Sequence, residues 1–358
     1  MRAVHAVVPD GIDDPGRPSG GNVYDRRLFE ELAALGWTVC RHPVAGAWPD
    51  PDAVSLHALG AVVAEIPDGA LVLLDGLVAS TAPDVLVPHA GRIRQVALVH
   101  MPLGHRLAAA RADSDEDVRG REHAVLSAAV AIVTTSAWTR RRLVELYALA
   151  AERIHVATPG VDAVSPAAGT GTNGELLCVA AVTPGKGQDV LVQALSVLAD
   201  LPWRCVCVGS VERDPAFADA VRARALEAGL GDRIAFPGPR TGAVLQRSYA
   251  AADLVVLPSR AETYGMVITE ALAHGLPVIA AEVGGTPEAL GQTATGQRPG
   301  ILVAPGDAEA LARALRAWLS DAPLRARLRQ AARERRAALS GWPATASIVA
   351  AVLDGVAR

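Results

Sequence analysis

Lysine is almost missing from this chain: of 34 basic residues in 358, one, Lys186, is lysine and the other 33 are arginine. An excess of positive charge is missing too, since 38 acidic residues leave a net charge of -4. That balance offers no field for a polyanion and excludes nucleic acid as the expected partner. No apolar run approaches the length that crosses a bilayer, and the N-terminal MRAVHAVVPDGIDDPG is interrupted too soon for a secretory leader. The chain therefore reads as cytoplasmic. Cysteines are few, and Cys40, Cys178, Cys205 and Cys207 all fall in apolar strand-like runs. They read as buried thiols, not as a disulfide framework or a metal set.

What is present is a packed-protein composition, 51% hydrophobic and 20% charged. The length suits two domains with a cleft between them. Short apolar runs alternate with helical or loop segments: Ala3–Val8, Thr38–Cys40, Leu71–Leu74, Val96–His100, Ala131–Val133 and Ile154–Val156, then Leu176–Ala180, Cys205–Val208, Ile234–Phe236, Leu254–Leu257, Val278–Ala280 and Ile301–Val303. Such alternation predicts an α/β fold with parallel sheets wrapped in helices. Between the two sets lies SPAAGTGTNG, small and turn-forming, which reads as a linker. The expected division is 1–164, then 165–341, then a C-terminal helix at 342–358 that can pack back on the first domain.

Lys186 stands between two glycines in TPGKGQD, where a strand passes into a helix that begins near Gly187. Backbone amides at such a helix start suit an anion, and an ammonium adds a point charge, so a diphosphate is the natural ligand. The bland alternative is a solvated lysine in a surface turn. Gly20 and Gly21, followed by Asn22, lie between the first strand and the first helix, where open α/β sheets bind ligands. The competing reading there is a flexible loop capped by Asn22.

In LVVLPSRAETYGMVITEALAHGLPV a buried strand ends at Leu257, a loop carries Glu262, and a helix beginning near Gly265 carries Glu270 about one turn in. A carboxylate near a helix start can accept both hydroxyls of a vicinal diol. Glu262 is placed for a sugar hydroxyl, and the amides of Tyr264, Gly265 and Met266 for phosphate or further hydroxyls. Either glutamate taken alone is an ordinary solvated side chain.

Together these residues resemble glycosyltransferase family 4. The likeness runs through Pro258, Ser259, Glu262, seven residues, then Glu270, Ala271, Gly275, Pro277, Val278, Gly284, Gly285 and Glu288. It extends to Gly20–Gly21, His100 of LVHMP, Ser136, Gly160–Val161–Asp162 and Lys186–Gly187. The resemblance implies an α/β fold of two Rossmann-like, doubly wound parallel-sheet domains in the GT-B arrangement, and a retaining hexosyl transfer from a nucleoside diphosphate sugar, a UDP-sugar first and GDP-mannose next. The acceptor is a small molecule, a glycan or a lipid-linked group, and membrane contact is at most peripheral. It assigns catalytic roles to His100, Lys186 and Glu262. Donor contacts go to Gly20, Gly21, Lys186, Gly187, Glu262, Thr263, Tyr264, Gly265, Met266, Val267 and Glu270. No metal and no cofactor are expected.

One departure stands out: Ala181 occupies the place of the family's usual arginine, so a second cation is missing unless Arg260 or Arg240 supplies it. The alternatives to a transferase are a non-catalytic sugar-nucleotide-binding partner subunit and an epimerase of similar architecture. Three patterns carry no function. Gly169–Gly174 fits G-x-G-x-x-G but precedes a strand instead of following one. Asp113, Asp115 and Asp117 read as a solvated turn. The arginine-rich stretch from Arg325 to Arg336 lacks an aromatic anchor and reads as a solvated helix face.

Overall fold

The computed structural model describes residues 2–16, 18–105 and 112–357, with the backbone alone at 112–116. The chain forms two compact units, one of Met1–Asp14, Ser19–Gly160 and Gly341–Arg358, the other of Pro15–Pro18 and Val161–Ser340.

All twelve apolar segments are strands. The first unit holds β1 (Arg2–Pro9), β2 (Trp37–Val44), β3 (Leu71–Asp75), β4 (Arg94–Val99), β5 (Ala131–Thr134) and β6 (Ile154–Val156), in the order β2-β1-β3-β4-β5-β6. The second holds β7 (Glu175–Val179), β8 (Arg204–Val208), β9 (Ile234–Gly238), β10 (Leu254–Leu257), β11 (Val278–Ala281) and β12 (Gly300–Val303), in the order β12-β11-β10-β7-β8-β9. Neighbouring strands pair in parallel throughout. Helices cover both faces of each sheet, which is why the strands read as unbroken apolar runs. In the second unit one face packs Cys178, Leu191, Leu195 and Trp318, and the other packs Val255, Leu257, Ile268 and Leu272. Each sheet reverses direction once, between β1 and β3 and between β7 and β10, and ligands of such sheets bind beyond the strand ends at those points.

Several expectations are corrected. Gly20, Gly21 and Asn22 are not a loop; they form the first turn of the helix Gly20–Ala34. Its cap is Ser19, whose hydroxyl accepts from the Asn22 amide at 3.1 Å, while the Asn22 side chain reaches the Gly11 carbonyl. Within that helix Tyr24, Leu28 and Leu32 are buried, and Leu35, just past its end, is exposed. The chain leaves the first unit at Gly160, ahead of the expected 164/165 division. Residues 165–174 belong to the second unit because buried Asp253 holds them: it accepts from the Thr170 amide at 2.7 Å and from the Glu175 amide at 3.1 Å. The helix Trp342–Ala357 belongs to the first unit, where the Thr345 hydroxyl donates to the Thr158 carbonyl. The acidic run is not a turn but part of the helix Ala112–Ala128, with Asp117 paired to Arg121 at 3.2 Å. The side chains of Asp113 and Asp115 lie outside the described residues. Cys40 is half-buried, and the other three thiols are buried and free.

Candidate functional site

In the second unit the loops leaving β7 and β10 meet at the reversal of strand order. After β7 the chain passes through a tight turn, Pro184–Lys186, into the helix Gln188–Ser196. Gly187 caps that helix with φ +71, and a Cβ there would lie 2.1 Å from the Pro258 carbonyl oxygen. Glycine is required because the two loops touch backbone to backbone, besides any approach to a ligand.

This contact places Lys186 against Glu262. Lys186 Nζ lies 2.6 Å from Glu262 Oε1, and the buried Ser259 hydroxyl donates to the same oxygen at 2.8 Å. The lysine head stays a third exposed while the carboxylate is 11% exposed, so a partly desolvated ion pair opens toward solvent. Glu262 is held from below by a second close approach. The Gly285 amide donates to the Glu262 carbonyl, and a Cβ on Gly285 would meet the Thr263 carbonyl oxygen at 2.2 Å. Tyr264 turns its ring into the core and burial pushes its phenol up to about 12, which leaves its backbone as the part available to a ligand. Gly265, at φ +91, then starts the helix Met266–Ala273 without a side-chain cap; Met266 and Val267 are half-buried in its first turn.

Glu270, on that first stretch of helix, receives a 2.6 Å hydrogen bond from the hydroxyl of Tyr249 on Oε2. Burial raises the carboxyl above its usual range, Tyr249 opposes that rise, and Asp162 adds to it. Tyr249 is fully buried and stacks on His274, whose Nε2 lies 2.7 Å from Gln246 Oε1. Sequence reasoning missed Tyr249. Its only signal was a tyrosine on the helix Gly242–Ala250 that feeds β10, and nothing local ties it to Glu270.

Both guesses for the second cation have protein partners. Arg260 grips Asp189 with both nitrogens at 2.8 and 2.7 Å and also donates to the Pro184 carbonyl. Burial works against the Asp189 charge, but those bonds and the guanidinium charge keep its carboxyl below the usual range. Arg260 thus fastens the Lys186 turn. Arg240 donates to Ser248 and edges a separate cavity of about 300 Å³ with Arg247, Val206 and Val244, which Lys186, Glu262 and Glu270 do not line. At Ala181 the carbonyl accepts from buried Gln188 at 3.0 Å. A neutral amide thereby fixes the loop where a guanidinium was expected.

In the first unit His100 follows β4 and sits beside Gly21, whose Cβ would lie 3.3 Å from the imidazole Cδ2. Gly21 is thus brought to the histidine by a helix start, with Gly20 before it in the same turn. His100 Nε2 is 2.7 Å from Asp25 Oδ1 and 3.7 Å from Asp75 Oδ2. Neither aspartate was anticipated, because both lie far from His100 in sequence. The three ligand atoms lie within 4.8 Å of one another, near enough for a small cation, although Nε2 and Asp25 are already hydrogen-bonded.

Comparison with known proteins agrees with this geometry. The family model described as "Glycosyl transferases group 1" matches residues 168–335. A D-inositol 3-phosphate glycosyltransferase of Jonesia denitrificans is 34% identical over 65% of this chain, and the match spans 58% of that relative's length. One of Catenulispora acidiphila is likewise matched over 56% of its length, so the chain spans little more than half of these relatives. The enzyme of that name from Xylanimonas cellulosilytica is 32% identical over 99% of this chain and 96% of its own. Among solved structures, sucrose-phosphate synthase of Thermosynechococcus elongatus superposes with a TM-score of 0.78 at 25% identity, and Anabaena HepE, crystallised with UDP and glucose, with 0.75 at 18%, each over 99% of both chains. With two six-stranded parallel sheets of GT-B type and an alignment that spans nearly the whole of a named relative, the chain belongs to the glycosyl transferases group 1 family.

Proposed function

We propose that the chain is a retaining hexosyltransferase acting in the cytoplasm on a nucleoside diphosphate sugar, UDP-linked before GDP-linked. The observation that carries this reading is the meeting of Lys186, Ser259 and Glu262 at the switch point between β7 and β10, with Tyr249-anchored Glu270 on the next helix. Lys186 and the helix starts that follow Gly187 and Gly265, which no side chain caps, take the diphosphate. Glu270 takes the ribose diol with the oxygen that Tyr249 leaves open, and Glu262 takes hydroxyls of the transferred sugar. For the first unit the same reading gives His100, with Gly20 and Gly21, a role toward the sugar. As the bond from the anomeric carbon to the diphosphate breaks, charge grows on the leaving oxygen, and a positioned ammonium and amides stabilise it without a metal ion. The acceptor hydroxyl forms the new bond on the same face and passes its proton to the departing phosphate.

The acceptor is a hydroxyl compound; the relatives named for inositol 3-phosphate and the neighbour named for sucrose phosphate make phosphorylated polyols and sugars the first to test. Incubation with UDP- and GDP-sugars should release nucleoside diphosphate, and the Glu262→Ala variant should release at least tenfold less. Release that Glu262→Ala leaves intact would remove that residue from the site. Thermal stabilisation by donor with no turnover against any acceptor would replace the reading with that of a binding subunit, which the sequestered Arg260 favours.

A further inference from the structure

Asp25, Asp75 and His100 form a cluster that the donor-side chemistry does not explain. Asp25 is 1% exposed and Asp75 5%, and both carboxylates face one imidazole nitrogen. Two buried negative charges cannot stand side by side without a proton or a cation. The cation is the ring itself, and Asp75 is the carboxyl whose surroundings favour holding a proton. Asp75 Oδ1 accepts from the Leu77 amide at 2.7 Å, which leaves Oδ2 to face the others. The ring is fixed on its remaining sides as well. Gly21 packs against its Cδ2 edge, and Tyr24 lies edge-on with centroids 5.1 Å apart.

We propose that Asp25, backed by Asp75, is a positioning residue that holds His100 as a fixed imidazolium, so that Nδ1–H is the hydrogen-bond donor offered to an oxygen of the sugar or the diphosphate. The distinction is chemical. A neutral ring bound to Asp25 through Nε2–H would present Nδ1 as an acceptor, suited to a hydroxyl proton and repelled by a phosphate oxygen. A charged ring presents a donor with a positive charge, and it cannot act as a base.

The groups acting on the ring agree in sign. Burial alone would lower the His100 pKa, but the Asp25 charge and hydrogen bond, and then the Asp75 charge, bring it above the ordinary value. Burial first, and then Asp25, push the Asp75 carboxyl up to about 7. The Tyr24 phenol, the remaining titratable neighbour on the helix Gly20–Ala34, donates to the Ala157 carbonyl at 2.8 Å. Loss of the Asp75 proton at higher pH adds negative charge beside the ring and favours the imidazolium further.

This inference rests on the transferase reading for its functional half only, and the test separates the halves. Imidazole NMR on the full chain, with His100 assigned through His100→Gln, should show the ring still protonated at pH 7.5 in the wild type. In Asp25→Asn its proton affinity should fall at least tenfold. A wild-type His100 that titrates at or below the ordinary histidine value overturns the proposal, and that measurement needs no variant to fold. In donor turnover, kcat of the wild type should be flat from pH 6 to 8, whereas Asp25→Asn should lose at least tenfold across that range with a smaller change in KM, and Asp25→Glu should restore the flat profile. A loss in Asp25→Asn that is equal at every pH marks a merely structural role and sinks the proposal. If the titration behaves as described but no donor is turned over by the wild type, the hold of Asp25 on His100 stands and the transferase reading fails.

Discussion

Tyr249→Phe deletes one atom from a fully buried site and tests the donor pocket through a residue that would never touch the donor. The lost bond runs at 2.6 Å to a carboxylate, and hydrogen bonds to charged groups contribute about 1.5–3 kcal/mol. Half of the lower figure, expressed as donor affinity, weakens binding about threefold, and the full upper figure weakens it about 100-fold, at 1.4 kcal/mol for each tenfold. Calorimetry with UDP should therefore show a dissociation constant raised by about one order of magnitude. The pH dependence supplies the sharper check. Burial already holds the Glu270 carboxyl above its usual range, and Tyr249 is the group that opposes the rise. Without the phenol the carboxyl moves higher still, so the acid edge of UDP binding shifts to higher pH. The stability effect carries the same sign: a carboxyl raised in the folded state costs stability as pH climbs through its folded pKa, and the phenol relieves that cost only for the ionised form. Tyr249→Phe should accordingly lose more stability at pH 8 than at pH 5 in urea titrations. An unchanged UDP dissociation constant, or an equal loss of stability at the two pH values, would refute the assignment of Glu270 as a diol acceptor held by Tyr249.

Three further substitutions probe the loops. Lys186→Ala should weaken UDP binding by about 1.5–3 kcal/mol and flatten its salt dependence, since it removes the point charge itself. Arg260→Ala should instead lower the melting temperature and leave the salt dependence alone, because its guanidinium is spent on Asp189 and the Pro184 carbonyl. Gly285→Ala should abolish most turnover while circular dichroism stays native-like. Its Cβ would stand 2.2 Å from the Thr263 carbonyl oxygen, a backbone atom that can yield only by moving the segment that carries Glu262.

The strands were legible because a parallel strand covered on both faces is apolar from end to end, as in Leu254–Leu257 and Val278–Ala281, and no periodicity has to be decoded. Lys186, Glu262 and Glu270 were legible for a related reason: each follows such a run at a strand-to-helix junction, where polar residues announce themselves. Helix starts were harder. Ser19 was the local signal that Gly20–Gly21 open a helix, and the glycines, which normally suggest a loop, masked it. What no local pattern reveals is adjacency. β7 and β10 are separated by two strands in sequence and pair in space, and that pairing is what presses Gly187 against Pro258 and delivers Lys186 to Glu262. The residues that hold the site from behind depend on the same adjacency. Tyr249 meets Glu270 and Asp25 meets His100 only after the helices fold onto their sheets, so each looks in sequence like an ordinary member of a helix. A buried tyrosine or aspartate costs stability unless it finds a partner, and the partner it finds in both cases is a group already marked for the ligand. The unexpected residues are therefore where the fold and the chemistry are joined: they are buried like core and aimed like a site.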